Sequence, residues 1–489
     1  MDRLRDGIRT WLEIQPAPAQ KIILQEVLDF YGNAIKNRIW YRGDSEELSE
    51  FYKSIPVDNT KFWKANSTKG MQIRKIHVGI PNIVVDTLSS VTIADLNEIQ
   101  LSNMGEEWEE IAEDNKFLEL IEKAIQEALI VGDGAFKISF NPDVSKYPIL
   151  EFYPGDKIEI NMQYGRVEEI IFRTKYIYKN QAYILHEKYK KNAIEYELKK
   201  DDRTCALDTI PATANLQDVH WQEDFVMAVL FKIFNSAKWI GRGKSVFDGK
   251  TDAFDSIDEA WSQWMDALRA NRTKEYIPES MLPRNPETGE ILKPNAFDNR
   301  YIKVDTPMNE GNQDKILLDN PTIQHESYLS TYITALDLCL QGLISPSTLG
   351  IDVKKLDNAE SQREKEKATL YTRNKIVTAL QNTLPLLINN TLKAYCAYNM
   401  QEVKDIDVEV PFGQYANPSF ESQVETVAKA RTAGIMSLEA AVEELYGSSK
   451  DEEWKEEEVK RLREEQGITE LEEISLADAE EYNTDNALY

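Results

Sequence analysis

Cysteine is scarce in this 489-residue chain. Cys205, Cys339 and Cys396 are the only three, they lie far apart, and no Cys-x-x-Cys pair occurs. Such a count argues against a disulfide framework and against zinc-ligand clusters, and it fits a reducing compartment. Histidine is scarce too: His77, His186, His220 and His325 are scattered, and none belongs to a His-Glu-x-x-His pattern. No Gly-x-Ser-x-Gly elbow is present. No apolar stretch of about 18 residues occurs, so no membrane-spanning helix is expected. The opening Met1-Asp2-Arg3-Leu4-Arg5-Asp6-Gly7 leads into no apolar run, so no secretory signal is expected either. Positive charge is the last shortage. Lys and Arg total 57 against 84 Asp and Glu, a formal net charge of −27. A tight, static duplex binder would carry a basic footprint, and this composition disfavours one.

What is present is a helix-rich α+β pattern. Residues 18–60 read as amphipathic helix, with Ile22, Ile23, Val27 and Phe30 on one face. Residues 106–130 repeat apolar positions at helical spacing through Trp108, Ile111, Leu118, Ile121, Ile125 and Leu129. Gly132-Asp133-Gly134 ends that run. Short segments rich in Ile, Phe, Tyr and Val follow, at 135–140, 150–153, 157–161, 168–178 and 181–198. Asn141-Pro142-Asp143, Pro154-Gly155-Asp156 and Tyr164-Gly165-Arg166 punctuate them. That alternation predicts antiparallel strands joined by turns.

From about 250 the period is helical again. Phe254, Ile257, Trp261, Trp264 and Leu268 are spaced 3, 4, 3, 4, which makes a coiled-coil-like seam. Asp255, Asp258, Glu259, Asp266 and Arg269 lie off the seam. A breaker-rich stretch holds Pro278, Pro283, Pro286, Pro294 and Pro307. A second rod over 322–343 then repeats Ile333, Leu336, Leu340 and Leu343. Two rods bracketing a small irregular module suggest an antiparallel pair with the module at its far end. Ile344-Ser345-Pro346-Ser347-Thr348-Leu349-Gly350 is a loop, and a long helix runs from about Asn358 to Asn399. Pro385 inside it predicts a kink or break near 381–385. A strand-like Asp407–Val410 follows. Lys450–Glu481 holds 14 acidic and 5 basic residues, a solvated or partly disordered end.

Two further patterns have competing readings. Lys238-Trp239-Ile240-Gly241-Arg242-Gly243-Lys244-Ser245 ends like a phosphate loop, but Lys238 stands where the first glycine belongs. A glycine-rich connector is the favoured reading, and a nucleotide-binding enzyme using Gly241–Ser245 is the rival. The segment Lys354–Lys375 mixes Lys354, Lys355, Arg363, Lys365 and Lys367 with Asp357, Glu360, Glu364 and Glu366. A solvated helix face is favoured there over transient contact with a polyanion.

The order of these parts resembles the portal proteins of tailed bacteriophages, the siphophage-type head-to-tail connector. Four stretches carry the likeness: Ile80–Leu88; Gly243–Ser245 through Trp264; Tyr276–Leu282; and Ser345–Ile351 with Asn358–Lys367. It spans about 60 to 450. The resemblance implies a portal fold assembled as a ring of about twelve subunits around a central channel. Residues 1–249 would be the wing, 250–275 the first stem helix, 276–321 the clip and 322–343 the second stem helix. Residues 344–358 would be the tunnel loop, 359–399 a long kinked helix of the wing, and 400–489 the crown with its acidic tail. Double-stranded DNA would pass through without sequence specificity. The terminase large subunit, the major capsid and scaffold proteins and a head-completion adaptor would be partners, at one capsid vertex of a virion assembled in the bacterial cytoplasm. No catalytic residue, cofactor, metal or membrane is implied.

Within that frame Ser345, Thr348, Leu349, Lys354, Lys355 and Asn358 are the candidate tunnel-loop residues. Phe254, Ile257, Trp261, Trp264, Leu268, Ile333, Leu336 and Leu340 are candidates for stem packing within and between subunits. Asp255, Asp258, Glu259, Asp266 and Arg363 are the channel-lining candidates, although the rod's acidic face has two open orientations, inward and outward. A structural ring that handles no DNA is the remaining alternative.

Overall fold

The computed structural model describes residues 28–56, 61–65, 73–201, 203–271, 274–278, 284–291, 301–304, 317–319, 323–351, 359–413, 420–446 and 452–465. It is α+β. Residues through Gly413 form one compact unit and Gln414–Tyr489 a second.

The first unit opens with helices α1 (Phe30–Arg42) and α2 (Ser45–Ser54). The single helix expected over 18–60 is divided here, and 18–27 lie outside the described residues. Gly43 ends α1 at φ 71°, and Asp44 starts α2 by accepting from the Glu46 and Glu47 amides. Helix α3 (Ile80–Ala94) carries Pro81 in its first turn, where the missing N–H has no helical partner to lose. A short strand, β1 (Gln100–Leu101), precedes α4 (Gly105–Asp114) and α5 (Phe117–Val131). The expected helix over 106–130 is therefore two. Asn115 fixes the break: its side-chain amide donates to the Ile111 and Pro148 carbonyls, and its oxygen accepts from the Leu150 amide. Because α5 starts at Phe117, that residue is buried, and Leu118 is 56% exposed.

Two antiparallel sheets follow, close to the expected strands. β2 (Asp133–Ser139) pairs with β3 (Ile149–Pro154) and with β10 (Ala228–Lys232). β4 (Ile158–Gln163), β5 (Arg166–Tyr178), β6 (Gln181–Lys190), β7 (Ala193–Lys200) and β8 (Arg203–Cys205) run in sequence order, and β9 (Val219–His220) joins β7. The β4–β5 turn places Tyr164 and Gly165 at φ 51° and 77°. The β5–β6 turn places Lys179 and Asn180 at 48° and 60°. Paired positive φ values match the right-handed twist of the flanking strands. Helix α5 packs Ile121, Ile125 and Leu129 into a core shared with Phe136, Phe152 and Phe231.

Helix α6 (Thr251–Ala270) then leads to a three-stranded sheet. In it β11 (Lys274–Pro278) pairs in parallel with β12 (Tyr301–Val304) and antiparallel with β13 (Leu317–Asp319). Helix α7 (His325–Leu340) returns, and α8 (Ala359–Tyr398) follows the loop. At 40 residues, α8 extends roughly 60 Å. It continues through Pro385, so the expected break is absent. The bond lost at Pro385 would have gone to Gln381, an exposed position where water can take its place. Leu384, Leu387, Ile388 and Leu392, on both sides of the proline, are wholly buried and hold the helix in place. β14 (Val408–Glu409) pairs with β1, so 400–413 belong with the first unit rather than with a crown beginning at 400. The second unit contains α9 (Phe420–Thr432), α10 (Leu438–Tyr446) and α11 (Glu452–Glu465).

Candidate functional site

The two rods are antiparallel. Trp264 stacks on Tyr328 at 6.2 Å, Trp261 meets Tyr332 at 5.4 Å, and the Lys250 ammonium donates to the Leu338 and Gln341 carbonyls at 2.8 Å each. The start of α6 thus lies against the end of α7. There Lys250 satisfies carbonyls that the helix leaves unpaired.

The seam changes character along its length. Phe254, Ile257, Leu336, Cys339 and Leu340 are buried in the subunit's own core. That corrects the inter-subunit part of the expectation for Phe254, Ile257, Leu336 and Leu340, because their own chain covers them. Further along, Trp261, Trp264 and Ile333 are half-exposed and Leu268 is 42% exposed. Leu329 on α7 is exposed at 45%. Among the described residues, the half of the rod pair toward the small sheet therefore leaves apolar surface uncovered.

The acidic residues of α6 also divide. Asp255 accepts from the Phe62 amide at 2.9 Å and the Trp63 amide at 3.3 Å. Asp258 accepts from the Trp63 indole at 3.1 Å and the Val78 amide at 2.9 Å, and lies 2.7 Å from His77 Nδ1. Ser262, one turn on, accepts from the Ile76 amide. Positions 255, 258 and 262 share one helix face, and that face is fastened to residues 62–63 and 76–78. Asp255 and Asp258 are buried, and burial pushes the Asp255 carboxyl up from its ordinary value. Both are corrected: they fix the rod to the subunit and do not line a channel. Glu259 and Asp266 are half-exposed.

The described part of the loop after α7, residues 341–351, is a compact turn. The Ser345 amide donates to the Thr369 hydroxyl at 2.8 Å, and the Thr348 hydroxyl lies 3.0 Å from the same oxygen. Thr369 sits wholly buried on α8. Ser345 is itself buried, and Leu349 packs against the core. Ser345 is corrected on this geometry: it anchors the turn and presents nothing outward. Lys354, Lys355 and Asn358 lie outside the described residues, as does the side chain of Arg363.

Gly241–Ser245 is not a phosphate cradle. A phosphate loop aims free backbone N–H groups at its ligand. Here the Gly243 amide donates to Asp133 Oδ2 at 2.6 Å, the Lys244 amide to the Phe234 carbonyl at 2.9 Å and the Ser245 amide to Asp248 Oδ2 at 3.1 Å. A Cβ on Gly243 would fall 2.0 Å from the Gly132 carbonyl oxygen, so the two chain segments touch. The nucleotide-enzyme reading of these residues is overturned, and the connector reading explains both glycines.

That contact holds a cluster the sequence did not reveal. Arg242 forks onto both Asp133 oxygens at 2.9 and 2.8 Å and donates to the Gly155 carbonyl at 2.6 Å. Its guanidinium lies 3.8 Å over the Phe30 ring. The fork ties β2, the turn at 155 and α1 into one joint. A second joint is Arg373 on α8, which reaches Asp95 at 2.7 Å and the Gly413 carbonyl at 2.7 Å. Among the described residues no group of His, Cys, Asp and Glu is arranged to hold a metal, and no helix is long and apolar enough to cross a membrane.

No family model and no curated protein matches the chain. Among solved structures, it is similar to a chain in the virion of a native gene transfer agent particle. The identity is 15% over 84% of this chain and 96% of that one, with a TM-score of 0.40. It is also similar to chains in the neck of the native particle, computed with C12 symmetry (12% identity, 74% and 88% covered, TM-score 0.38), and of the empty particle, computed with C6 symmetry (13%, 74% and 88%, 0.38).

Proposed function

We propose that this chain is a portal protein, the subunit of a ring at one capsid vertex of a tailed-phage-type particle. The observation that carries the reading is the antiparallel pair α6–α7. It brackets a small sheet at its far end, and a compact turn and a 40-residue helix follow it in the order expected of stem, clip, tunnel loop and wing. The half-exposed Trp261, Trp264 and Leu268 support a neighbour beside each rod pair.

Charge supports the same role. A duplex carries about one negative charge per 1.7 Å of axis. A wall that bound phosphates tightly would stall it, and a subunit of net charge −27 repels it. On this reading Glu259 and Asp266 are the channel-lining candidates that remain on α6. Lys354, Lys355 and Asn358 remain the tunnel-loop positions, with Arg363 beyond them. The β11–β13 sheet would face the packaging motor and later the head-completion adaptor. Scaffold and major capsid proteins would surround the ring.

Negative-stain imaging of the purified full chain tests this. Rings with an axial hole that admits a B-form duplex are expected. A protein that stays monomeric at every concentration reached would overturn the proposal, and rings closed at the centre would favour a structural ring that handles no DNA.

A further inference from the structure

Two apolar features outside the rods complement one another. The first is a knob. Ile240 is 100% exposed and Tyr164 is 95% exposed. They belong to neighbouring turns, because a Cβ on Gly241 would fall 2.2 Å from Met162 Sδ. Met162 and Val167 extend the patch at 36% and 40% exposure. Across 162–167 and 238–241 the charged residues are Arg166 and Lys238, and the exposed Glu168 follows directly on the strand.

The second is a groove of about 740 Å³ between α4, α5 and the β1 segment. Trp108 and Phe117 form its buried floor, and Leu101, Ala112 and Leu118 its walls. Glu98, Glu109, Glu113 and Glu119 stand at its margin against a single Lys116. The groove is thus apolar at its base and net acidic at its rim. The knob is apolar at its tip, and beside it stand two cations, Arg166 and Lys238, and one carboxylate, Glu168.

One subunit cannot join its own two features. Phe117 and Leu118 belong to the first turn of α5. The loop carrying Ile240 packs at the other end of α5, where Val246 bonds the Leu129 carbonyl and Gly243 abuts Gly132. The 15 residues of α5 separate them by about 22 Å. A knob and a matching groove at opposite ends of one element make a head-to-tail contact, and repetition of that contact closes a ring when the rotation divides the circle.

We infer that the occupant of the α4–α5 groove is the Tyr164–Ile240 knob of the next copy of this chain, with Arg166 and Lys238 set against the groove's glutamates. The inference rests on the ring reading and adds to it a second contact, away from the rods, that fixes the direction in which subunits follow one another.

The test uses the full chain with Cys205→Ser. Leu118→Cys and Ile240→Cys are introduced singly and together, then treated with a short bis-maleimide. The double variant is expected to give a ladder of covalent oligomers, and a mixture of the two single variants dimers only. Ile240→Glu is expected to lower the ring fraction at fixed chain concentration about tenfold, with an unchanged melting temperature, since Ile240 is fully exposed. Rings without a ladder, or rings at full yield in Ile240→Glu, would overturn the inference and leave the ring reading standing. A cross-linked monomer would overturn it as well. Absence of both rings and ladder would overturn the two together.

Discussion

Asp133 has no exposure to solvent, and its two oxygens take three hydrogen bonds, two from Arg242 and one from the Gly243 amide. Removing one member of a buried pair leaves the other charged and unpaired, which typically costs about 3–5 kcal/mol. Arg242→Ala should therefore lower the stability of the first unit by about that amount in urea titrations, and Gly243→Ala should destabilise it through the clash with the Gly132 carbonyl. A loss under about 1 kcal/mol for Arg242→Ala would remove the joint from the account. Asp255 makes the pH prediction. Its carboxyl is raised by burial, so ionisation is harder in the folded chain than in the unfolded one. Its contribution is fully present below the ordinary carboxylate range and is lost as pH rises through the raised value. The melting-temperature difference between wild type and Asp255→Asn should thus move in favour of wild type on acidification, and movement the other way would contradict the assignment. At this scale the sequence was partly legible. Gly132-Asp133-Gly134 reads correctly as a helix stop, but its aspartate pairs with an arginine 109 positions away, and no local pattern encodes that. The same separation made Gly241–Ser245 resemble a phosphate loop.

Helix α6 serves two environments at once. One face carries Asp255, Asp258 and Ser262 onto residues 62–63 and 76–78, and the neighbouring stripe carries Phe254 and Ile257 into the core beside Leu336 and Leu340. Heptad spacing identified the stripe, because apolar periodicity shows directly in the residues. It could not identify the polar face as buried, since the partners are backbone amides and an indole far away in the chain. The same limit explains Pro385, whose local cost is outweighed by buried leucines on both sides. It also explains the division of 106–130, which Asn115 imposes through bonds to β3. The rod pair has its own reporter. Cys339 on α7 is wholly buried, and burial pushes its thiol up to about 12. Its alkylation near pH 8 should run at least about a hundredfold slower than that of the partly exposed Cys205, and peptide mass spectrometry should show the two rates converging in urea. Equal rates in the native chain would mean that the rods separate readily.

On the scale of the whole molecule, the proposed function places identical α+β subunits side by side, and it would set their antiparallel rods around a bore that a polyanion traverses without adhering. The order of parts was legible from sequence because breakers and period changes mark it. The covered faces were not, since coverage depends on pairings between distant segments. The net charge of −27 and the half-exposed far half of the rod seam belong to this scale, because neither stabilises an isolated subunit. Image reconstruction of the assembled particle at a resolution that separates helices is the most direct measurement. The rod pairs should form the innermost wall around an open axis, with Trp261, Trp264 and Leu268 facing an adjacent subunit and Asp255 and Asp258 enclosed. A particle whose rod pairs lie on the outer rim, or a protein that never forms a ring, would contradict the account.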